Sequence, residues 1–366
     1  MFVKEGDLFY SGYDYAIRRF PIIEASILKF LNHPFIVGLD EIQIDGDKIK
    51  IMTEKCFPLY DETTLELEKE DKLFPPKMKD KKKFIITSLE GLCYLHDNNI
   101  IHADIKTANL MTDNTGKCKY IDFGMSLYQT EPFIKTTYEF RAPEIVNDEI
   151  INKKSDVWSL GVVFLHLLHG FIPHNISSVF RFIEENNIKE YFLLKMLEED
   201  YMDRWSAREC FEFLTKMRCP IKIEIIEKIN IPGRNNQITP KIRFDGLFWI
   251  MSIANKKWKK NISCIKYFVS LHDKIISRMS VKNYKLLLLC IFGIIMQIYE
   301  NEVIIINDLQ DFHIFSSEQY SETCKDIFKI TNFDLFCVSY ETDIIMCILG
   351  HLRDKELIKK VKQILL

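Results

Sequence analysis

Three side chains in the stretch IIHADIKTANLM (Ile100–Met111) are of types that do chemistry: a carboxylate at Asp104, an ammonium at Lys106 and an amide at Asn109. A second carboxylate, Asp122, follows in IDFG. Phosphoryl transfer needs little covalent help from a protein. It needs a carboxylate near the incoming hydroxyl, metal ions on the phosphates and positive charge on the transferring group. On those terms Asp104 would accept or orient the hydroxyl proton, Lys106 would meet the γ-phosphate, and Asn109 and Asp122 would hold Mg²⁺. Behind them come FRAPE, SDVWSLG and DRWSA, in that order. Each piece recurs by chance; the order and spacing together are specific.

These groups must be held by elements on either side. Residues 1–56 alternate short apolar-polar pieces, YAIRRF and DKIKIMTEKC among them, around one helical segment, PIIEASILKFL. Pro21 suits the first turn of that helix and Asn32-His33-Pro34 ends it. KKKFIITSLEGLCYLH reads as a helix, NLM and KYIDF as strands about the turn DNTG, and SDVWSLGVVFLHLLHG as a buried helix. Helices continue to about Lys216, residues 217–241 read as a linker, and the chain after Ile242 reads as helical.

Composition narrows the class. The chain has 366 residues, 47% hydrophobic, with a formal net charge of -3, so no strong pull toward nucleic acid or anionic membrane is expected. Ten cysteines occur without a C-x-x-C pair, which predicts reduced thiols and a cytoplasmic or nuclear location. MFVKEGD lacks the apolar run of a signal peptide. The longest apolar run, Leu286–Ile298, is predicted to be a buried helix and not a membrane span.

With these motifs in register, residues 1–216 resemble the eukaryotic serine/threonine protein kinase superfamily, and cyclin-dependent kinases within it. The catalytic-loop pattern H-R-D-x-K-x-x-N maps onto His102, Ala103, Asp104, Lys106 and Asn109. The resemblance implies ATP and Mg²⁺ as cofactors, a protein substrate, and metal binding by Asn109 and Asp122. It pairs Glu144 with Arg204 and makes Asp156 the brace of the catalytic loop. It puts Thr53 at the gatekeeper position and Glu54–Cys56 at the hinge beside the base, and makes Thr137 the partner of Asp104 and Lys106. Ala103 replaces the Arg that in this family holds an activation-segment phosphate, and Pro132 stands where a phosphothreonine would be. Receptor and ligand are absent together, so catalysis without that phosphate is expected.

The same resemblance makes Arg18 of YAIRR the substitute for the nucleotide-clamping lysine, paired with Glu24 only a few residues later. No Gly-rich loop is recognisable before it, so a truncated N-lobe is expected. The segment from Arg243 to Phe336 resembles a cyclin box. Arg243 and Trp249 fall in its first helix, YFVSLHDKIIS in its second, YKLLLLCIFGIIMQIYENE in its third and CKDIFKITNFDL in its fifth. Ile298 and Cys324 replace the family's kinase-contacting Lys and Glu. Ile22 lies where cyclin-dependent kinases insert an isoleucine into their cyclin, so an intramolecular contact at Ile22 is expected.

The expected fold class is α+β. A bilobal kinase fold with a truncated N-lobe (1–56) and a C-lobe (57–216) precedes a linker (217–241) and an all-α cyclin-like domain (242–366). The expected activity is Ser/Thr phosphorylation, and the alternative is a catalytically weak pseudokinase serving as a docking scaffold.

Overall fold

The computed structural model describes residues 2–7, 21–59, 80–128, 131–132, 137–147, 150–219, 238, 242–243, 245–247, 249–250, 265–299 and 315–336. The chain divides into two compact units, one of Met1–Leu8 and Tyr13–Glu224 and the other of Phe9–Gly12 and Ile225–Leu366.

The first unit begins with a small antiparallel sheet. β1 (Phe2–Asp7) and β2 (Leu39–Asp45) flank β3 (Lys48–Thr53), with Lys4 opposite Ile51 and Phe2 opposite Thr53. Alternation in KIKIMT turns Ile49 and Ile51 inward, both almost wholly buried, and sends the lysines outward. Residues directly opposite across a ladder share a face. Phe2, Lys4, Ile51 and Thr53 therefore line one side of the sheet. α1 (Pro21–Phe30) packs against the same sheet and is buried from Ile22 to Leu28, Glu24 included. The region holding YAIRR and Arg18 lies outside the described residues.

Below the sheet, the unit is helical around two long apolar rods. α2 (Lys81–Asp97) starts at Asp80, whose carboxylate accepts the Lys83 amide at 2.9 Å. Gly91 lets the Tyr120 ring lie against α2, because a Cβ there would meet that ring at 2.9 Å. β4 (Phe57–Pro58) leads into this region and pairs with β6 (Leu110–Thr112). In the sequence KYIDF the strand stops at Tyr120: β7 (Cys118–Tyr120) pairs with β6, while Phe123–Met125 is a 3-10 turn. Val37 N–H donates to Tyr120 O at 3.0 Å and Tyr120 N–H to Phe35 O at 2.9 Å, which fastens the segment after α1 to β7.

Two short pairings tie the segment after the 3-10 turn to its surroundings. β5 (Ile100–Ile101) pairs with β8 (Leu127–Tyr128), and β9 (Glu131–Pro132) pairs with β10 (Ile150–Ile151), just beyond α3 (Pro143–Asn147). α4 (Lys153–His169) is apolar on all sides and buried accordingly. Asn152 caps its start in a capping box with Ser155, and Gly170, at φ 72°, closes its end. α5 (Ile176–Glu185), α6 (Tyr191–Met196) and α7 (Ala207–Thr215) complete the unit, and α7 ends one residue before the expected limit at Lys216.

The described part of the second unit is helical. α8 (Ile265–Ile276), α9 (Tyr284–Tyr299) and α10 (Ser317–Thr331) pack on one another, and residues 242–243, 245–247 and 249–250 are helical as well. α9 is almost wholly buried, as its Leu-Ile composition dictates, and Ile298 and Cys324 are buried too. Gly293 sits where a Cβ would fall 2.3 Å from the Tyr320 hydroxyl, so only glycine allows this approach of α9 to α10. Among the described residues no helix is long and apolar enough to cross a membrane.

Candidate active site

The catalytic-loop residues form one cluster around Asp104. Its Oδ1 accepts the Thr137 hydroxyl at 2.7 Å, and its Oδ2 accepts Lys106 Nζ at 2.8 Å and Asn109 Nδ2 at 2.9 Å. Lys106 Nζ also donates to Thr137 Oγ1 at 2.9 Å. The carboxylate is thus fixed by three donors from both sides, with 8% of the residue still exposed. Asn109 spends both described donor contacts on Asp104, the second on its carbonyl at 2.8 Å, so the amide's acceptor oxygen is the atom left for a cation.

The loop carrying Asp104 is bent, and its bend is held from below. Ala103 has φ 65°, a left-handed conformation that is unusual for a residue with a side chain. Asp156 offsets that cost: its Oδ2 accepts the His102 amide at 2.8 Å and its Oδ1 the Ala103 amide at 2.9 Å. His96 Nε2 lies 3.0 Å from the same Oδ2. Position 103 therefore contributes a backbone amide and a bend to the loop. A second buried brace sits under the segment that carries Thr137: Glu144 accepts Arg204 in two bonds of 2.8 and 2.9 Å, and Ser155 Oγ donates to Glu144 at 2.7 Å.

A cavity of about 270 Å³ lies under the sheet. Val37, Ile51, Met111 and Ile121 give it apolar walls, and Thr53 and Cys56 stand along it. Burial, with the Glu54 carboxylate nearby, pushes the Cys56 thiol up to about 11, so this wall is neutral. Glu54 points elsewhere: its Oε1 accepts the Gly38 amide at 2.6 Å and Lys119 Nζ at 2.5 Å, which braces the connection without lining the cavity.

The polar end of the cavity carries a lysine that sequence reasoning did not single out. Lys4, from β1, bonds the Glu24 carboxylate and lies 2.7 Å from Asp122 Oδ1. Among the described residues Lys4 is thus a cationic partner of Glu24; Arg18, the residue expected there, lies outside the described residues. Lys4 stands 20 residues before Glu24. That spacing and the strand-forming FVKEGD are the signals for it in the sequence; YAIRR competes with them because it looks more like the family's strand. In IDFG the left-handed residue of the turn is Asp122, at φ 62°.

Hydrogen bonds join the cavity to the catalytic cluster. Ile121 N–H donates to Asn109 O at 3.1 Å, and His102 Nε2 lies 3.0 Å from Ile121 O. Phe123 is fully buried against the His102 ring, with ring centres 5.1 Å apart, in the turn on which α1 rests. A displacement of α1 would thus be felt at Glu24, Lys4 and Asp122 together.

A family model described as the protein kinase domain matches residues 19–220, more than half of the chain. The chain belongs to the protein kinase family. It is 36% identical over 174 residues to Serine/threonine-protein kinase pakH of Dictyostelium discoideum, which covers 43% of this chain and 33% of that protein. It is 34% identical over 159 residues to NUAK family SNF1-like kinase 2 of Rattus norvegicus, covering 41% of this chain and 24% of that protein. MAP kinase kinase kinase wis4 of Schizosaccharomyces pombe is 32% identical over 173 residues, covering 41% and 12% respectively. The chain spans a third or less of the length of these relatives.

Protein kinases use ATP and Mg²⁺, and the residues present here fit both. A cavity with apolar walls suits a base. An ammonium between two carboxylates suits phosphates, and Asp122 with the Asn109 acceptor oxygen provides hard oxygen ligands of the kind Mg²⁺ takes.

Proposed function

We propose that the chain is a serine/threonine protein kinase, in which Asp104 accepts or orients the hydroxyl proton of a protein Ser or Thr and Lys106 neutralises the γ-phosphate. Asn109 and Asp122 would hold Mg²⁺, which supplies charge stabilisation on the phosphates. Lys4, set by Glu24, would orient the phosphates next to it. Thr53, Cys56, Val37 and Met111 would enclose the base. The observation that carries this reading is the Asp104 carboxylate, held at once by Lys106, Thr137 and Asn109. A docking scaffold has no chemical use for that arrangement. The absence of a guanidinium at Ala103 supports activity without a phosphorylated activation segment.

The test is a nucleotide titration and a phosphorylation assay on the full chain with mixed protein substrates. Mg·ATP should bind, and labelled phosphate should appear on Ser or Thr well above an Asp122→Asn control. Phosphatase pretreatment should change the rate by no more than about twofold. A protein that neither binds Mg·ATP nor exceeds the control is the pseudokinase scaffold.

The reading extends to the second unit as a cyclin-like domain that activates the kinase in cis, within a cyclin-dependent-kinase-like subfamily and an intracellular setting. Supporting it is an ion pair inside that unit. Arg243, which the resemblance places in the first cyclin-box helix, donates to both Asp273 oxygens at 2.9 and 2.6 Å, and Asp273 lies in YFVSLHDKIIS, the stretch that resembles the second. The proposed contact is with α1 near Ile22, and a covalent tether raises the effective concentration of such a partner to roughly millimolar. Residues 1–224 alone should then show at least tenfold lower activity, and residues 225–366 added in trans should restore part of it. Full activity of the shortened protein removes the cyclin reading and leaves the kinase reading intact.

A further inference from the structure

Lys4 and Asp122 are joined in a way that phosphate transfer by itself does not require. The Lys4 ammonium lies 2.7 Å from Asp122 Oδ1 and also bonds the Glu24 carboxylate, so two of its three N–H donors are spent on acids. Asp122 is at the same time one of the two residues that fit Mg²⁺. An ammonium bonded to a carboxylate oxygen competes with any metal cation for that oxygen, by charge repulsion and by taking up its lone pair. Water screens this competition little, because the side chains of Asp122 and Glu24 are only 12% and 6% exposed.

The three groups differ in their freedom to move. Asp122 is fixed through its neighbours: Ile121 N–H donates to Asn109 O at 3.1 Å, and α1 packs on the turn that begins at Phe123. Glu24 sits among the buried residues of α1. Lys4 projects from β1, at the edge of its sheet, on a flexible four-carbon stem, and its side chain is 33% exposed. It also lines the cavity together with Glu24 and Asp122. The lysine is therefore the mobile member, and Glu24 is a pivot on which it can swing away from Asp122 without losing both partners.

We propose that Lys4 gates the metal site: it holds Asp122 as an internal counter-ion and releases it when nucleotide phosphates offer a competing anion, so that a divalent cation binds well with the nucleotide and poorly without it. The proposal rests on the kinase reading for the nucleotide and adds an order of binding to it. Phosphate oxygens replace Asp122 as acceptors of one Lys4 donor while Glu24 keeps the other. The Asp122 oxygen so released joins the Asn109 acceptor oxygen as a cation ligand. In the absence of phosphates, apparent metal affinity is lowered by the small fraction of molecules in which Lys4 has swung aside. Asp122 is thereby kept from cations that arrive without a substrate.

The test titrates the full chain with Mn²⁺ alone, a probe that takes the same hard oxygen ligands, and reads bound metal by electron paramagnetic resonance. Lys4→Met should bind Mn²⁺ at least about tenfold more tightly than wild type, the gain expected when the competing state is removed. Lys48→Met is the control for loss of one positive charge, since Lys48 lies on the same sheet beside Glu5 with its side chain 57% exposed; its affinity should match wild type. Adding Asp122→Asn to Lys4→Met should cancel the gain. Should Lys4→Met fail to fold, wild type decides alone: acetylation of Lys4 by an amine-reactive ester, followed on its peptide, should keep its rate in millimolar Mg²⁺. Equal Mn²⁺ affinity in wild type and Lys4→Met overturns the gate, and so does a rise in Lys4 acetylation with Mg²⁺ alone. Neither result touches the kinase reading, which stands or falls on the binding of Mg·ATP, whereas the metal-only comparison needs no nucleotide.

Discussion

Replacing Asp104 with Asn is expected to lower the rate of phosphate transfer by about 10²–10⁴-fold, the range typical of a lost general base. The change keeps the shape of the side chain and one of its acceptor oxygens, so the bonds from Lys106, Asn109 and Thr137 survive in part. Mg·ATP affinity should stay within about threefold, because the nucleotide cavity is lined by other residues. Thr137→Ala should cost about tenfold at most, since it removes a hydrogen bond that positions the carboxylate and leaves the carboxylate itself. Single-turnover rates at saturating nucleotide, beside a direct binding titration, separate these effects. Loss of nucleotide binding in Asp104→Asn would mean that the loop collapsed, and equal losses in the two variants would mean that Thr137 acts directly.

The second large effect is expected at Lys4. Lys4→Met should reduce kcat/KM for ATP by about 10²–10³-fold, because it removes the ammonium that bonds both Glu24 and Asp122 at the polar end of the cavity. Removing one partner of a part-buried ion pair costs more than the pair contributes, since the remaining charge stays desolvated. Arg18→Met, at the residue the sequence resemblance points to, is the variant to compare with it. Steady-state kinetics with ATP as the varied substrate decide between them. A small effect at Lys4 with a large one at Arg18 would return the clamp to Arg18, and large effects at both would mean that two cations share Glu24. Lys4→Arg should recover little of the activity, because a planar fork cannot reproduce a compact ammonium between two acids.

Most of the catalytic cluster was legible in the sequence because its contacts are short in chain length. Asp104, Lys106 and Asn109 lie within six residues, and a loop that bends at Ala103 brings them together by local geometry alone. Helix limits were legible for the same reason: Asp80, Asn152, Ser206 and Ser316 announce the starts of their helices through bonds to amides two or three residues on. The long apolar runs that became α4 and α9 could be placed inside from composition alone.

What only the tertiary structure decided are the pairings between distant charges. Whether Glu24 meets Lys4 depends on the register of β1 against β3, which puts Lys4 opposite Ile51 on the cavity side. A six-residue strand carries no local signal of that register, and a slip of one residue would send the lysine to the other face. Asp122 lies 118 residues from Lys4 and joins it only because α1 rests on the turn at Phe123. Arg208 reaches back to Asp97 across α7 and α2, and also donates to Cys219 O, for a similar reason. Motif spacing identifies groups that act within one loop. Groups that act across elements are selected by packing, which local sequence does not encode.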